Sequence, residues 1–457
     1  MDNYLETLLS QIRCKKARPY IMDEIKGHIE CQIEENMANG MSYDEAEKAA
    51  VEDMGDPVEA GVSLDRIHKP QVAWFMVLIV GIISLAGIVI HFLISREIGG
   101  LDNLADIHPQ TTLSNRNYFS GVLLGFVAML IVYCIDYSVI AKYARIIGGV
   151  IIAVGVIGTI FGYTINGVSY LGIGRLQLAS FLMLYVPIYG AIVYKYRNAN
   201  WKGLVLSMLW LLAPVYVAFR MPNIYLAFVL YVSMFPMLII AVADGWFSVP
   251  KKRTVLGLIV VLALSPIAGF CLIYWGDFLL RDYQKARLHA FMHPGFDRNG
   301  IGYVAGNLRE QIMSSVLVGS NGKEILSAGE NYTSDFIFTY ITGTYGILMG
   351  IIICAAIAIL IIAIFAVATR QKNRVGMLMG CGCGILLLVN SGINILENLG
   401  YFPLSQTFLP FLSSGRSNMI LSYSLIGLVM SVYRYKNIHP RNISNKSHIQ
   451  QKIKTNS

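Results

Sequence analysis

Beyond the first 70 residues charged side chains are scarce, and the largest group of them falls between positions 277 and 342. It includes Arg281, Asp282, Lys285, Arg287, Asp297, Arg298, Arg309, Lys323, Glu324, Glu330 and Asp335. Cations interleaved with carboxylates beside apolar sequence suit a phosphate-bearing lipid head group. Guanidinium and ammonium groups hold phosphate oxygens, and a carboxylate is left to move a proton. An ordinary solvated loop has the same charge content, so composition alone leaves both readings open. Asp335 favours the first, because it stands directly before Phe336-Ile337-Phe338. Desolvation at a membrane face raises a carboxyl toward a useful base. A second irregular polar segment holds Pro403, Pro410 and Ser413-Ser414-Gly415-Arg416-Ser417. Non-helical backbone at membrane depth is tolerated only where protein buries it or a wet cavity adjoins it. The two segments are therefore expected to share one cavity.

Other candidate groups read as structural. Cys381-Gly-Cys383 has no nearby His or Cys to complete a metal site, and His28 with Cys31 is half a site on a helix face. Asp136, Asp244 and Glu397 fall at the ends of apolar runs and read as interfacial caps or anchors, and only His91 comes close to the middle of one. That near absence of midplane charge argues against an ion-coupled transporter. The seven cysteines imply no disulfide framework.

The elements that must position these groups follow from hydropathy. The 457 residues are 55% hydrophobic and 14% charged, with mean hydropathy +0.56, which excludes an ordinary soluble domain. Runs of about 20 apolar residues, long enough to cross a bilayer, occur at 72–94, 117–137, 146–165, 177–194, 203–219, 223–243, 255–276, 343–367, 375–397 and 418–435. The expectation is an all-α polytopic membrane protein of about ten transmembrane helices, with a large extracytoplasmic loop between helices 7 and 8. Alternate connections carry Lys142 and Arg145; Lys195, Arg197 and Lys202; Lys251, Lys252 and Arg253; and Arg370, Lys372 and Arg374. The positive-inside rule makes these cytoplasmic, together with both termini. The net charge of +8 resides in such loops and the tail, with no continuous basic face suited to nucleic acid. Residues 1–70 lack a secretory signal and read as a cytosolic domain of short helices. Gly40 ends one helix, Ser42 with Glu45 forms a capping box, and Gly55-Asp56-Pro57 makes a turn. A membrane domain follows at 71–436, then a basic cytoplasmic tail at 437–457.

At this point the residues resemble a known family. Tyr283-Gln284-x-x-Arg287-x-x-x-Phe291-x-x-Pro294-x-x-Asp297-x-x-Gly300-x-Gly302-Tyr303, then Ser314 and Gly319, then Ser334-Asp335-Phe336-Ile337-Phe338 resemble the large outside loop of the SEDS family (shape, elongation, division and sporulation; FtsW/RodA/SpoVE). Asn394-x5-Gly400-x-x-Pro403 and Leu409-Pro410-Phe411-x-Ser413-x-Gly415-x-Ser417 resemble its last outside loop. Asp136-Tyr137, residues 167–177 and Met221-Pro222-Asn223 are weaker echoes, and the head with Met54-Gly55-Asp56-Pro57 looks like a permease-prefix domain. The resemblance implies ten helices in a bacterial cytoplasmic membrane and a peptidoglycan glycosyltransferase that polymerises lipid II beside a class B penicillin-binding transpeptidase. It makes Asp335 the essential acid. The matching motif positions Tyr283, Gln284, Asn394, Ser413 and Ser417 are expected to bind substrate, and charge suggests Arg287 or Arg309, with a divalent cation, Mg or Mn, for the departing pyrophosphate.

The departures are specific. The family's Leu-Pro-Glu is absent, with Glu330 one position off. Its paired Glu-Glu is replaced by Gly343 and Thr344, and its Gln-Pro-Ser-Glu by Gln177-Leu178-Ala179-Ser180. These lost acids keep two alternatives open: a noncatalytic scaffold or regulator of a transpeptidase, and a permease for lipid-linked precursors.

Overall fold

The computed structural model describes residues 1–15, 17–99, 109–165, 168–171, 176–221, 223–275, 285–286, 289, 291–292, 303–320, 322, 332–405 and 407–436. The head contains four helices, α1 (Asp2–Ser10), α2 (Arg18–Ala38), α3 (Tyr43–Asp53) and α4 (Pro57–His68). Leu8, Ile12, Ile21, Ile29, Ala46 and Ala50 are buried in it. Asp65 of α4 closes the core by accepting from the Arg13 backbone N–H at 2.8 Å. Gly40 and Gly55 adopt left-handed backbone, with φ of 95° and 74°, which favours glycine at both turns.

Ser42 caps α3 through the expected capping box. Its backbone N–H and hydroxyl donate to Glu45 Oε2 at 3.2 and 2.8 Å. The Ser42 hydroxyl first and its N–H second hold the Glu45 carboxyl below its ordinary range. That contribution is present above the unfolded carboxyl's pKa and is lost as pH falls through the folded one. Ser42→Ala should cost about 1 kcal/mol of local stability. Hydrogen exchange of the α3 amides in the full-length protein measures it, and unchanged exchange would refute the cap.

The remaining helices are α5 (Trp74–Gly99), α6 (Pro109–Cys134), α7 (Tyr137–Lys142), α8 (Ala144–Phe161), α9 (Leu178–Met183), α10 (Tyr185–Tyr194), α11 (Trp201–Arg220), α12 (Ile224–Ala243), α13 (Lys251–Trp275), α14 (Tyr303–Ser314), α15 (Ile337–Tyr345), α16 (Ile347–Thr369), α17 (Arg374–Asn398) and α18 (Arg416–Arg434). Eight of them, α5, α6, α8, α11, α12, α13, α16 and α17, are long and apolar enough to cross a membrane. The chain is an all-α polytopic membrane protein. The other two expected crossings fall on helices of different character. The span at 177–194 is split, because Pro187 has no N–H to continue the ladder and the Leu184 N–H turns to Phe181 O at 3.2 Å. The last span, α18, carries serines along its length and is buried from Leu421 to Val432.

Two expected boundaries move. The run at 146–165 ends as helix at Phe161, and residues beyond it form strand β1 (Tyr163–Ile165), paired antiparallel with β2 (Val168–Leu171), which pairs antiparallel with β3 (Leu176–Gln177). Tyr163 lies opposite Tyr170, and Tyr170 opposite Gln177. The run at 343–367 is interrupted at Gly346, whose φ of 95° ends α15 and starts α16. The Ile347 and Leu348 N–H groups that the break frees donate to Val316 O and Leu317 O at 3.0 and 3.1 Å.

Glycine permits close helix approach, as is usual between membrane helices. A side chain at Gly427 of α18 would lie 2.5 Å from Met129 O of α6. Around Cys381 and Cys383, Gly380, Gly382 and Gly384 meet Ala368, Met237 and Phe365. The Cys-Gly-Cys run is thus part of a packing stripe on α17. At the basic end of the bundle, Asp136 caps α7 by accepting from Ser138 N at 2.9 Å, and Asp244 pairs with Arg374 at 2.8 Å.

Candidate active site

At the opposite end, two segments far apart in sequence are stitched together around Asp335. Spacing on α17 places Asn390, Asn394, Glu397 and Asn398 along one helix face, and all four are buried. Asn394 Nδ2 donates to the Asp335 carbonyl at 2.9 Å and Asn398 Nδ2 to the same oxygen at 3.0 Å. Both lone pairs of that carbonyl are therefore occupied. Asn398 Oδ1 accepts from the N–H and hydroxyl of Thr339 at 3.1 and 2.8 Å, which ties the first turn of α15 to the same helix. The peptide that presents Asp335 has little freedom left, while its carboxylate stays half-exposed at the bundle end.

The last loop is held by the same face. Asn390 Nδ2 donates to Phe408 O at 2.6 Å, and the Tyr225 hydroxyl of α12 donates to Asn390 Oδ1. Glu397 Oε1 accepts from Ser405 N at 2.7 Å, and its Oε2 accepts from the Ser405 and Thr407 hydroxyls at 2.9 and 2.6 Å. Glu397 is 0% exposed. The expectation of an interfacial anchor is corrected: this acid lies inside the protein, because three donors of the returning loop close over it. Such full pairing is what makes a buried carboxylate tolerable.

His91, also 0% exposed, stacks on Tyr118 with ring centroids 3.8 Å apart. The His91 Nε2 lies 2.8 Å from Leu412 O, and the Tyr118 hydroxyl donates to Phe411 O at 2.9 Å. These contacts support Phe411 in left-handed backbone, φ 65°, a conformation costing about 1–2 kcal/mol for a residue with a side chain. Ser414 N donates to Thr333 O at 2.7 Å, so the two polar segments are in contact.

The sequence-derived site residues divide. Tyr283, Gln284 and Arg287 lie outside the described residues. Arg309 is exposed on α14 beside Gly400, where an added methyl would lie 3.6 Å from Arg309 Cβ; this puts the guanidinium's helix next to the C-terminal end of α17. Asn394, Ser413 and Ser417 were expected to face substrate, and the structure turns all three toward protein. Asn394 is 0% exposed. The Ser413 hydroxyl accepts from Leu409 N at 2.7 Å, and Ser417 accepts from Gln177 N at 2.9 Å, fixing the β-hairpin to α18. The two serine hydroxyls satisfy backbone donors, Ser413 within its own loop and Ser417 across the chain. Ser413→Ala leaves the buried Leu409 N–H unpaired and should cost about 1–3 kcal/mol. Thermal unfolding of the purified protein checks this, and an unshifted transition would contradict it.

Tyr332 offers no competing base. Burial pushes its phenol up to about 12, so it stays protonated at neutral pH. Among the described residues of this end, Asp335 and Glu310 of α14 have access to solvent while Glu397 is closed off, and of the two only Asp335 sits on the clamped peptide. A half-buried carboxylate on a clamped peptide, with an arginine-bearing helix close by, can accept a proton from a hydroxyl nucleophile while a cation steadies a departing anion. Among the described residues no three His, Cys, Asp or Glu side chains converge on a possible metal position. A divalent cation here would take one carboxylate and the oxygens of a bound phosphate, as magnesium commonly does, and Asp335 fits that limited part.

Comparison with known proteins agrees with this geometry. Residues 73–438 match the family model described as FtsW/RodA/SpoVE cell cycle protein. The probable peptidoglycan glycosyltransferase FtsW of Enterococcus hirae is 27% identical over 337 residues, covering 69% of this chain and 81% of that protein. The peptidoglycan glycosyltransferase MrdB of Escherichia coli K12 is 29% identical over 194 residues, 40% of this chain and 50% of that one. Among solved structures, the rod shape determining protein RodA of Thermus thermophilus aligns with TM-score 0.55 and 17% identity, over 80% of this chain and 97% of that chain. A chain from a peptidoglycan synthase complex that coordinates polymerization and crosslinking aligns with TM-score 0.61 and 20% identity, over 79% and 98% of the two chains. Those two likenesses establish a common fold. Taken with the family match across nearly the whole membrane region, they identify this chain as a member of the FtsW/RodA/SpoVE family.

Proposed function

We propose that this protein is a peptidoglycan glycosyltransferase that polymerises lipid II at the outer face of the bacterial cytoplasmic membrane, with both of its own termini inside. The observation that carries the proposal is the clamped Asp335 peptide at the meeting point of two polar segments. Asp335 takes the proton of the acceptor sugar hydroxyl as that oxygen attacks the anomeric carbon of the lipid-linked donor. A new glycosidic C–O bond forms, the bond to pyrophosphate breaks, and polyprenyl pyrophosphate leaves. Arg309, or Arg287, balances the leaving charge, and Mg or Mn bound to the pyrophosphate would add to that balance. The names of the curated relatives support this reading, and the solved synthase complex supports a class B penicillin-binding transpeptidase as partner.

The test is direct. Purified full-length protein, alone and with a class B transpeptidase, is given labelled lipid II across a range of Mg and Mn concentrations. Glycan ladders on a gel are expected. Folded protein that yields no ladder under any of these conditions would overturn the proposal.

A further inference from the structure

We propose that Glu397 is a positioning residue for the reaction: its buried carboxylate, acting through Thr407 and Asn394, holds the peptide that presents Asp335. This rests on the polymerase reading above for its kinetic meaning, though the geometry stands without it. Glu397 Oε2 takes the one hydroxyl proton of Thr407, at 2.6 Å. With that proton committed, Thr407 Oγ1 can only accept from Asn394, and it does so from Nδ2 at 2.7 Å. The second Nδ2 proton then falls on the Asp335 carbonyl at 2.9 Å. The relay is fixed at both ends, because the Asp335 carbonyl can only accept and Glu397 Oε2 takes the Thr407 proton.

An orphaned atom supports the assignment. Asn394 Oδ1 is buried and has no hydrogen-bond partner, a condition that costs about 1–3 kcal/mol. Turning the amide over would give that oxygen no better place. It would set Oδ1 against the Asp335 carbonyl oxygen and against a Thr407 oxygen whose proton is already used. The orphan is the consequence of an amide whose orientation is imposed on it. Asn398 completes the clamp independently, with Nδ2 shared between Asp335 O at 3.0 Å and Asn394 O at 2.8 Å.

Glu397→Gln separates positioning from packing, because it preserves volume and reverses polarity. If its amide nitrogen faces Thr407, the threonine accepts from it and turns its own proton toward Asn394. Asn394 then reverses and withdraws its donor from Asp335. Thr407→Val breaks the same relay one step later with nearly the same shape. Each variant should lower kcat for lipid II polymerisation about tenfold, with KM within about twofold, since displacement of a reacting group acts on the chemical step. The double variant should also lose about tenfold, not about a hundredfold, because the two residues act in series. A second readout needs no activity. Amide hydrogen exchange across residues 332–345 should rise in both variants, while α5 and α12 exchange as in the wild type.

Raised exchange at 332–345 with the non-additive kcat loss supports the proposal. Unchanged exchange there, multiplicative losses in the double variant, or an equal rise over the whole protein would each overturn it. If the wild type makes no polymer, the polymerase reading fails by itself, and the exchange data alone decide whether Glu397 holds the Asp335 peptide.

Discussion

Asp335→Asn should abolish glycan synthesis and leave the protein folded. The substitution keeps size and shape but removes the proton acceptor, which is worth about 10²- to 10⁴-fold for a positioned base. In activation free energy that is about 3–5 kcal/mol. The fold should survive because the protein grips this residue by its backbone. The two asparagine donors go to the Asp335 carbonyl oxygen, and no substitution of the side chain removes that oxygen. Turnover of labelled lipid II and thermal unfolding, measured on the same preparation, are the readouts. Turnover within about tenfold of wild type would remove Asp335 from the chemistry. A collapse of the unfolding temperature would show that its side chain serves the fold instead.

The second large effect is expected at a glycine. Gly346 sits between α15 and α16 with φ 95° and ψ 165°, a region essentially closed to residues with a side chain. A Cβ there would also lie 2.6 Å from Leu317 O and 2.7 Å from Val318 Cα. Neither atom can withdraw freely, because Leu317 O accepts from Leu348 N and both belong to backbone. Gly346→Ala should therefore cost about 3 kcal/mol or more, the sum of backbone strain and overpacking. It should also displace α15, whose first turn is joined to the Asp335 clamp by Thr339, so activity per folded molecule falls as well. Gly400→Ala is the comparison. Its φ is 76°, but its nearest neighbour would be 3.6 Å away, and the cost should stay near 1 kcal/mol. Equal unfolding temperatures for the two variants would contradict this account.

Much of the molecule is legible in the chain itself, for reasons that differ by feature. The spans follow from runs of apolar residues, a property of contiguous sequence that the bilayer reads directly. The Ser42–Glu45 capping box is equally local, because both partners lie within one turn. Asp335 stood out through its neighbours Phe336-Ile337-Phe338 and through a motif that is contiguous. The ends of elements were less legible. Gly346 was hidden inside an apolar run that hydropathy treats as continuous, and the strand at Tyr163 follows a helix of the same composition.

What only the tertiary structure decided concerns polar groups that meet across the chain. Glu397 has the same composition and position whether it faces water at a helix end or lies beneath a returning loop. Its role was settled by Ser405 and Thr407 folding back over it. Asn394, Ser413 and Ser417 occupy motif positions that suggested substrate, yet their atoms are spent on Asp335, Leu409 and Gln177. His91 and Tyr118 sit on separate helices and act as a pair because stacking brings them under Phe411 and Leu412. A hydrogen bond needs its partner within about 3 Å, and no sequence pattern states which distant partner will arrive. Hydropathy and local motifs determined where the helices run and which acid to suspect. The buried network that aims that acid exists only once the helices have packed.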